Sequence, residues 1–260
     1  MLHGNKGGHG HGHGHRGSRF AVRQDNPDRT DDPVLNSLYA VIGPQTAVLD
    51  VGGGTGCYAI PLESRAKHVT VVDPSSDSME LLQSIAVERG ITNITAITSD
   101  WKAAEVKTAD IVLCSLVLHH VQDVGPFILK LAQMATDRVL VVVMMEFPGM
   151  IETPFYKRVH GSDPIPLPTL PDLIHVFWEM DVYPDLEMFA STLPRLEADK
   201  AGALEYLRQR LGVEAETDKD ERLQSAMTEL LEETPSGLIS KGVKPQRLGI
   251  ASWRPEGVGR

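Results

Sequence analysis

The run Val48-Leu49-Asp50-Val51-Gly52-Gly53-Gly54-Thr55-Gly56-Cys57 constrains the fold of this chain more than any other stretch. An apolar strand drives into four glycines, with a carboxylate two residues before the first of them. Glycine takes positive φ and lets backbone lie close to a ligand. A glycine turn between strand and helix is where open α/β sheets bind their ligands. Asp50 narrows the choice of ligand. A dinucleotide pyrophosphate wants helix N–H groups and positive potential at such a turn. A fixed carboxylate beside phosphate costs about 4 kcal/mol at ~4 Å when the effective dielectric is near ~20. The same carboxylate suits a ligand that carries ammonium or sulfonium charge. The loop therefore reads as built for a cation-bearing nucleoside rather than a dinucleotide.

The rest of the first half supplies the sheet that such a loop needs. Apolar runs at 46–51, 69–73, 94–98, 109–114 and 138–144 read as strands, and the segments 57–67, 77–89 and 125–135 between them as helices. A further helix is expected over 33–42, opened by Pro33 and closed by Gly43-Pro44. Strands that are apolar on both faces and separated by helices imply a parallel sheet covered on both sides. Such connections are right-handed almost without exception. The expected fold class is α/β, a doubly wound, mostly parallel, seven-stranded sheet with helical additions in the C-terminal part.

After Met145 the character changes. Prolines at 148, 154, 164, 166, 168 and 171 predict an irregular, stiff excursion. A helix over 171–180, a weak strand over 185–190, amphipathic helices over 198–211 and 219–233, and a last strand over 248–253 follow. The expected organisation is a flexible His/Gly-rich segment over 1–32, a ligand-binding core over 33–146, and a substrate-recognising part over 147–260 that returns the final strands to the same sheet.

Composition excludes several classes. No apolar run approaches the roughly 18 residues of a membrane helix. The polar N-terminal segment does not read as a secretory signal, so a cytoplasmic location is expected. The formal net charge is −10, from 35 acidic and 25 basic residues. That argues against broad binding to nucleic acid or an anionic membrane. Cys57 and Cys114 cannot make a disulfide framework and are expected as buried thiols. The alternating His9, His11, His13 and His15 either gather a transition metal or belong to a floppy tail. Nothing nearby in the sequence supplies a fixed shell for such a metal, and no metal site is assigned.

Three motifs in order now carry a resemblance. The glycine run resembles the first motif of the class I S-adenosylmethionine-dependent methyltransferases. Val69-Thr70-Val71-Val72-Asp73-Pro74-Ser75 ends a second strand on an acid, and Ala109-Asp110-Ile111-Val112-Leu113-Cys114-Ser115 followed by Leu116-Val117-Leu118-His119-His120-Val121 looks like the fourth strand of that family and its exit. The resemblance covers about residues 33–145, and it implies a Rossmann-like core and S-adenosyl-L-methionine as cofactor. It places Asp50, Gly52, Gly54 and Gly56 along the methionine and ribose portions. Asp73, followed by Pro74, accepts the ribose hydroxyls through its two oxygens. Asp100 takes the adenine amino group, Trp101 covers the ring, and Ser115 and Leu116 bring backbone to the methionine end. The bland alternatives are a turn acid for Asp73, a solvated loop acid for Asp100 and a structural Trp101.

The chemistry beyond the cofactor is less legible. His119 and His120 lie just past the fourth strand, where one imidazole can act as general base or orient an acceptor, or where the pair packs and caps the loop. Glu146, at the exit of the fifth strand, is a further catalytic candidate or a solvent-facing acid. Tyr156 and His160 in the Pro-rich excursion are the substrate-binding candidates, beside Phe155, Asp163 and Trp178. Trp178 is expected to bury the added helices against the sheet. Methyl transfer from a sulfonium is an in-line displacement that mainly needs alignment and exclusion of water, so an unmistakable catalytic residue is not required. The chain has no Asp/Asn-Pro-Pro-Tyr/Phe after the fourth strand and no Pro-Cys nucleophile. With the acidic charge, this points to a small-molecule acceptor. The rival readings are a nicotinamide-dependent oxidoreductase, which would lack the third glycine of its Gly52-x-Gly54-x-x-Cys57 fingerprint, and a cofactor-binding protein without turnover.

Overall fold

A computed structural model describes residues 29–146, 151–190, 196, 199–234 and 237–256. The histidines at 9–15 and Pro148 lie outside the described residues. Five strands come first: β1 (Ala47–Val51), β2 (His68–Asp73), β3 (Ile94–Thr98), β4 (Ala109–Ser115) and β5 (Ala135–Met144). With β6 (Asp185–Met188) and β9 (Leu248–Trp253) they form a seven-stranded sheet in the order β3-β2-β1-β4-β5-β9-β6. The first five pair in parallel, with Val51 level with Val72 on one side and Cys114 on the other. β9 runs antiparallel to both β5 and β6, so β6 again points the same way as the first five. The expected doubly wound sheet is what forms.

Alternation along the strands sorts its two apolar faces. Leu49, Val51, Val112, Val139, Val141 and Val143 pack beneath α4 (Val124–Met134) and α6 (Leu170–Glu179). Val48, Ile111, Leu113, Leu140 and Val142 face α1 (Pro33–Val41), α2 (Ala59–Leu62) and α3 (Ser76–Glu88). Each fully buried leucine, such as Leu35 and Leu38 of α1, contributes about 1.5–3 kcal/mol. An exposed pair such as Lys157–Asp163, with side chains 65% and 74% exposed, contributes about 0–1 kcal/mol. Stability therefore resides in the two layers flanking the sheet.

Local chemistry starts and stops the helices. The Asp32 side chain accepts from Val34 N and Leu35 N, and Pro33 occupies the first turn of α1, where its missing N–H costs nothing. Ser75 caps α3 through Ser78 N at 3.2 Å. Thr169 and Asp172 form a reciprocal capping box on α6.

The chain outside the two layers builds a cap. It consists of α5 (Thr153–His160), α7 (Lys200–Leu211), α8 (Asp218–Leu230) and a hairpin of β7 (Leu231–Thr234) and β8 (Gly237–Ser240). Phe155, Val159, Leu207, Leu211 and Leu223 form its own apolar centre, separate from those of the sheet. α5 leaves after β5, and α7 through β8 lie between β6 and β9. Because β5 and β6 both end at the carboxyl edge, and β9 begins there, the cap grows from the edge that carries the glycine loop.

Several expectations are corrected. Within the segment expected to be flexible, Arg29 and Asp32 are buried, and Arg29 packs against the segment after the glycines. The helix expected over 57–67 shrinks to Ala59–Leu62, since turns occupy the residues on either side. The Pro-rich excursion contains α5, with its proline in the first helical turn where proline is tolerated. The helix expected to reach 233 stops at Leu230, and the chain turns into β7. Trp178 does not bury added helices: it is 51% exposed, and its neighbour Phe177 is the buried ring, packed 5.1 Å from Trp253.

Candidate functional site

The strand order reverses at β1, where β2 lies on one side and β4 on the other, and the glycine loop stands at that switch point. Gly52, Gly54 and Gly56 take φ of 73°, 54° and 89°. The space around each glycine distinguishes packing from openness. A Cβ on Gly52 would lie 2.4 Å from Val117 Cγ2, one on Gly53 2.6 Å from Asp50 Oδ2, and one on Gly56 2.5 Å from Leu82 Cδ1. At Gly54 the nearest such atom is Asp73 Oδ2 at 4.0 Å. Three glycines thus let the loop lie against the protein, and Gly54 turns open backbone outward beside an acid. That geometry leaves room for a ligand against the backbone.

Asp73, at the end of β2, accepts Gly54 N through Oδ2 at 3.0 Å and Ser75 N through Oδ1 at 2.9 Å. Each carboxylate oxygen has capacity left for another donor, as two adjacent hydroxyls would require. Pro74 is exposed beside it.

Asp50 behaves differently from its expected placement along the ligand. It shares the face of Val48, so its side chain lies under the loop. It is 1% exposed, and neither oxygen has a hydrogen-bond partner. Burial first, and Asp73 second, push its pKa up to about 7. Cys114, on the neighbouring strand, is a buried thiol raised in the same way by burial and by Asp50. Beneath the glycine loop there is thus an orphaned carboxyl, balanced between its neutral and ionised forms near pH 7.

On the far side of β2, Asp100 follows β3, is exposed, and holds its turn by accepting Lys102 N at 2.8 Å. Trp101 points the other way. It is 5% exposed, its ring lies 6.1 Å from Phe127, and its Nε1 donates to Phe127 O. Lys130 was not foreseen. Its ammonium stands 4.5 Å over the Trp101 ring and donates to Trp101 O at 2.6 Å and Ala104 O at 2.7 Å, so α4 fixes the turn that presents Asp100. A sequence separation of 29 residues gives no local signal for such a contact.

At the exit of β4, Ser115 is half-buried and Leu116 adopts φ of 57°, a left-handed value that a branched residue reaches only when its surroundings impose it. Leu116 N donates to Val142 O at 2.9 Å, which holds the turn. The 3₁₀ turn Leu118–His120 then stacks His119 on His120 with ring centroids 4.1 Å apart. His119 is buried, and its pKa falls to about 4, through burial first and the neighbouring imidazole second. It is neutral at physiological pH, whereas the His120 side reaches solvent.

The remaining candidates belong to the rim and the cap. Glu146 is engaged with Arg247, accepting its N at 3.3 Å and pairing with its Nε at 3.6 Å. Tyr156 and His160 stack at 4.5 Å, and the His160 ring meets Leu211 O at 3.0 Å, which ties α5 to the end of α7. The structure thus brings Asp50, the glycines, Asp73, Asp100, Ser115 and Leu116 to one edge, and commits Tyr156 and His160 to holding the cap together. Among the described residues, no group of three or more His, Cys, Asp or Glu side chains could hold a metal, and no helix is long and apolar enough to cross a membrane.

Comparison with known proteins agrees with this geometry. Residues 48–136 match the family described as "Methyltransferase domain". The chain is 34% identical over 86 residues to the ubiquinone biosynthesis O-methyltransferase of Rickettsia canadensis, a match covering 33% of this chain and 36% of the relative. The corresponding protein of Vibrio campbellii is 34% identical over 104 residues, covering 39% and 43%. The matched stretch therefore spans well under half the length of these curated relatives. Among solved structures, the YcgJ protein of Bacillus subtilis superposes with a TM-score of 0.58 at 19% identity, over 86% of this chain and 98% of that one. A methyltransferase from Thiobacillus denitrificans, crystallised with S-adenosyl-L-homocysteine, gives 0.52 at 16% identity over 90% and 97%.

Proposed function

We propose that this chain, whose residues 48–136 match the family described as "Methyltransferase domain", is a class I S-adenosylmethionine-dependent methyltransferase that transfers a methyl group from S-adenosyl-L-methionine to a small-molecule acceptor. The observation that carries the proposal is the open backbone of Gly54 beside Asp73, flanked by glycines at which no side chain fits. When bound, the sulfonium would supply an electrophilic methyl group, with the acceptor bonding to the methyl carbon in line as the S–CH3 bond breaks and neutral S-adenosylhomocysteine leaves. The residues of this chain do the rest by position. Gly54 and Asp73 hold the ribose side, Asp100 takes the base, and the turn at Ser115 and Leu116 fixes the methionine end. Asp50, partly ionised near pH 7, contributes negative potential from beneath the loop in its ionised form, which a cationic ligand end favours.

His119, neutral above about pH 4, is able to take a proton from an acceptor hydroxyl, although so weak a base adds little driving force. The cap closes the edge from which β5 and β6 emerge and supplies the acceptor site, so its exclusion of water is its main service to the displacement. The curated relatives are O-methyltransferases by name, which favours an oxygen acceptor. The net charge of −10 supports a small molecule over nucleic acid or an anionic membrane, with the cytoplasm as the place of action.

Calorimetry with S-adenosylmethionine, S-adenosylhomocysteine and NAD tests the proposal. The expected result is that both sulfur nucleosides bind and NAD does not. Binding of NAD alone sinks the reading, and cofactor binding without turnover on any panel of hydroxylated acceptors leaves a binding protein in its place.

A further inference from the structure

Arg29 lies outside the matched domain and outside every motif considered above, yet it is 6% exposed. Among the described residues its guanidinium bridges two separate partners. Nε donates to Asp32 Oδ2 at 3.1 Å, and Nη2 donates to the Cys57 carbonyl at 2.9 Å. The Cys57 thiol lies 3.7 Å from the same nitrogen, and the Tyr58 ring centroid lies 5.7 Å from the guanidinium carbon. Asp32 is in turn fixed, because its second oxygen caps α1 through Val34 N and Leu35 N. α1 is itself anchored, with Val34, Leu35 and Leu38 buried against Tyr58, Ala59 and Ile60.

The other side of the same segment is also held. Gly56 N donates to Gly53 O at 3.0 Å, Ile60 N donates to Gly56 O at 3.0 Å, and Leu82 of α3 closes on Gly56. The backbone from Gly54 to Tyr58 is therefore clamped between α3 and Arg29. Cys57 O belongs to a residue outside regular structure, so without Arg29 this carbonyl loses a charged donor in a buried place. A lysine cannot replace the arrangement, since one ammonium on a flexible stem lacks the planar fork that bridges an acid and a carbonyl at fixed spacing.

We infer that Arg29 is a positioning residue for the cofactor: through Asp32 and the Cys57 carbonyl it locks the outgoing end of the glycine loop in the shape that receives the nucleoside. The inference rests on the methyltransferase reading given above. Arg29 acts on cofactor affinity through the loop, and Arg29 and Asp32 become part of the binding apparatus.

The test compares the full chain with two variants. Arg29→Met combined with Asp32→Asn removes both buried charges together and keeps an N-cap acceptor on α1. Arg29→Lys keeps the charge and loses the fork. Calorimetric titration with S-adenosylhomocysteine gives dissociation constants at least about tenfold weaker in the double variant, roughly 1.4 kcal/mol, and intermediate in Arg29→Lys. The unliganded protein melts a few degrees lower, about what one lost buried hydrogen bond costs, and amide exchange accelerates over residues 54–60 while α7 and α8 are unchanged. Should the double variant not fold, Arg29→Lys carries the same comparison. A dissociation constant within about twofold of wild type in a folded variant overturns the role of Arg29 alone. Wild-type protein that binds no S-adenosylhomocysteine overturns it together with the functional reading.

Discussion

The carboxyl edge of the sheet and the cap that grows from it treat buried acids in opposite ways. In the cap, Glu152 is paired with Arg210 at 2.8 Å, and Asp220 accepts both Nε and Nη2 of Arg208 at 2.8 and 2.7 Å. Arg208, with help from Glu216 N and Gln224, holds the Asp220 carboxyl down to about 2. At the edge, Asp50 is buried with no partner, and its pKa is pushed up to about 7. A protein that needs an acid only for structure satisfies it. An acid left unsatisfied beneath a glycine loop is one whose cost the fold alone does not offset, which is the observation behind the role proposed for Asp50.

The largest effect that would break this contrast is expected at Gly52. Alanine there combines a positive φ with a methyl 2.4 Å from Val117, against open space at Gly54. Gly52→Ala is expected to cost roughly 2–5 kcal/mol and to abolish cofactor binding, whereas Gly54→Ala costs only the local backbone strain of about 1–2 kcal/mol. Equal losses of S-adenosylhomocysteine affinity and of stability in the two variants would remove the distinction between packed and open glycines.

Asp50 offers the next test, by pH. Its carboxyl titrates near 3.8 in the unfolded chain and near 7 in the native protein. Between those values the native state holds a proton that the unfolded state has released, so stability falls as pH rises, by up to about 1.4 kcal/mol per pH unit. Asp50→Asn loses this slope. Urea unfolding of both proteins at several pH values between these limits measures it, and parallel curves would show that Asp50 is satisfied after all. His119 runs the other way: neutral in the native state down to about 4, it opposes folding as pH drops below the ordinary histidine value of 6.5.

Asp73→Asn keeps shape and loses charge. Weaker acceptance from Gly54 N and from the ribose hydroxyls predicts a loss of about 1–3 kcal/mol in cofactor affinity, read by calorimetry. An unchanged dissociation constant would refute the ribose assignment.

Arg210→Ala sharpens the comparison from the cap side. Glu152 is left without its ion-pair partner, but Arg210 is 47% exposed, so the cost is expected at about 1–2 kcal/mol rather than that of a fully buried pair. S-adenosylhomocysteine binding stays at its wild-type level while turnover falls. If cofactor affinity falls in parallel, the cap and the edge are one unit.

The edge was far more legible in the sequence than the cap. β3 and β9 occupy the expected residues, and Gly52, Gly54, Asp73 and the Ser115–Leu116 turn stand where the motifs placed them, because local backbone demands write themselves into residue type. Positive φ needs glycine, and a buried parallel strand needs an apolar run. The cap helices were mostly legible as helices, but α5 hid among prolines, the β7–β8 hairpin hid behind a helical pattern, and Tyr156 and His160 turned out to hold each other and α7. Contacts such as Lys130 with the Trp101 turn, or Arg29 with Cys57, bridge 26 to 29 residues and leave no periodic trace.

By itself the sequence determined the order of strands and helices from α1 to β5, the switch-point loop and the acids that flank it, since these follow from φ, burial and alternation within a few residues. Only the tertiary structure decided which acids would be satisfied. Asp50 became an orphan because alternation turned it under Gly53, and Asp73 became a brace because β2 ends beside Gly54. Charge and desolvation depend on what the rest of the chain brings alongside, and that is settled only when distant segments close on one another.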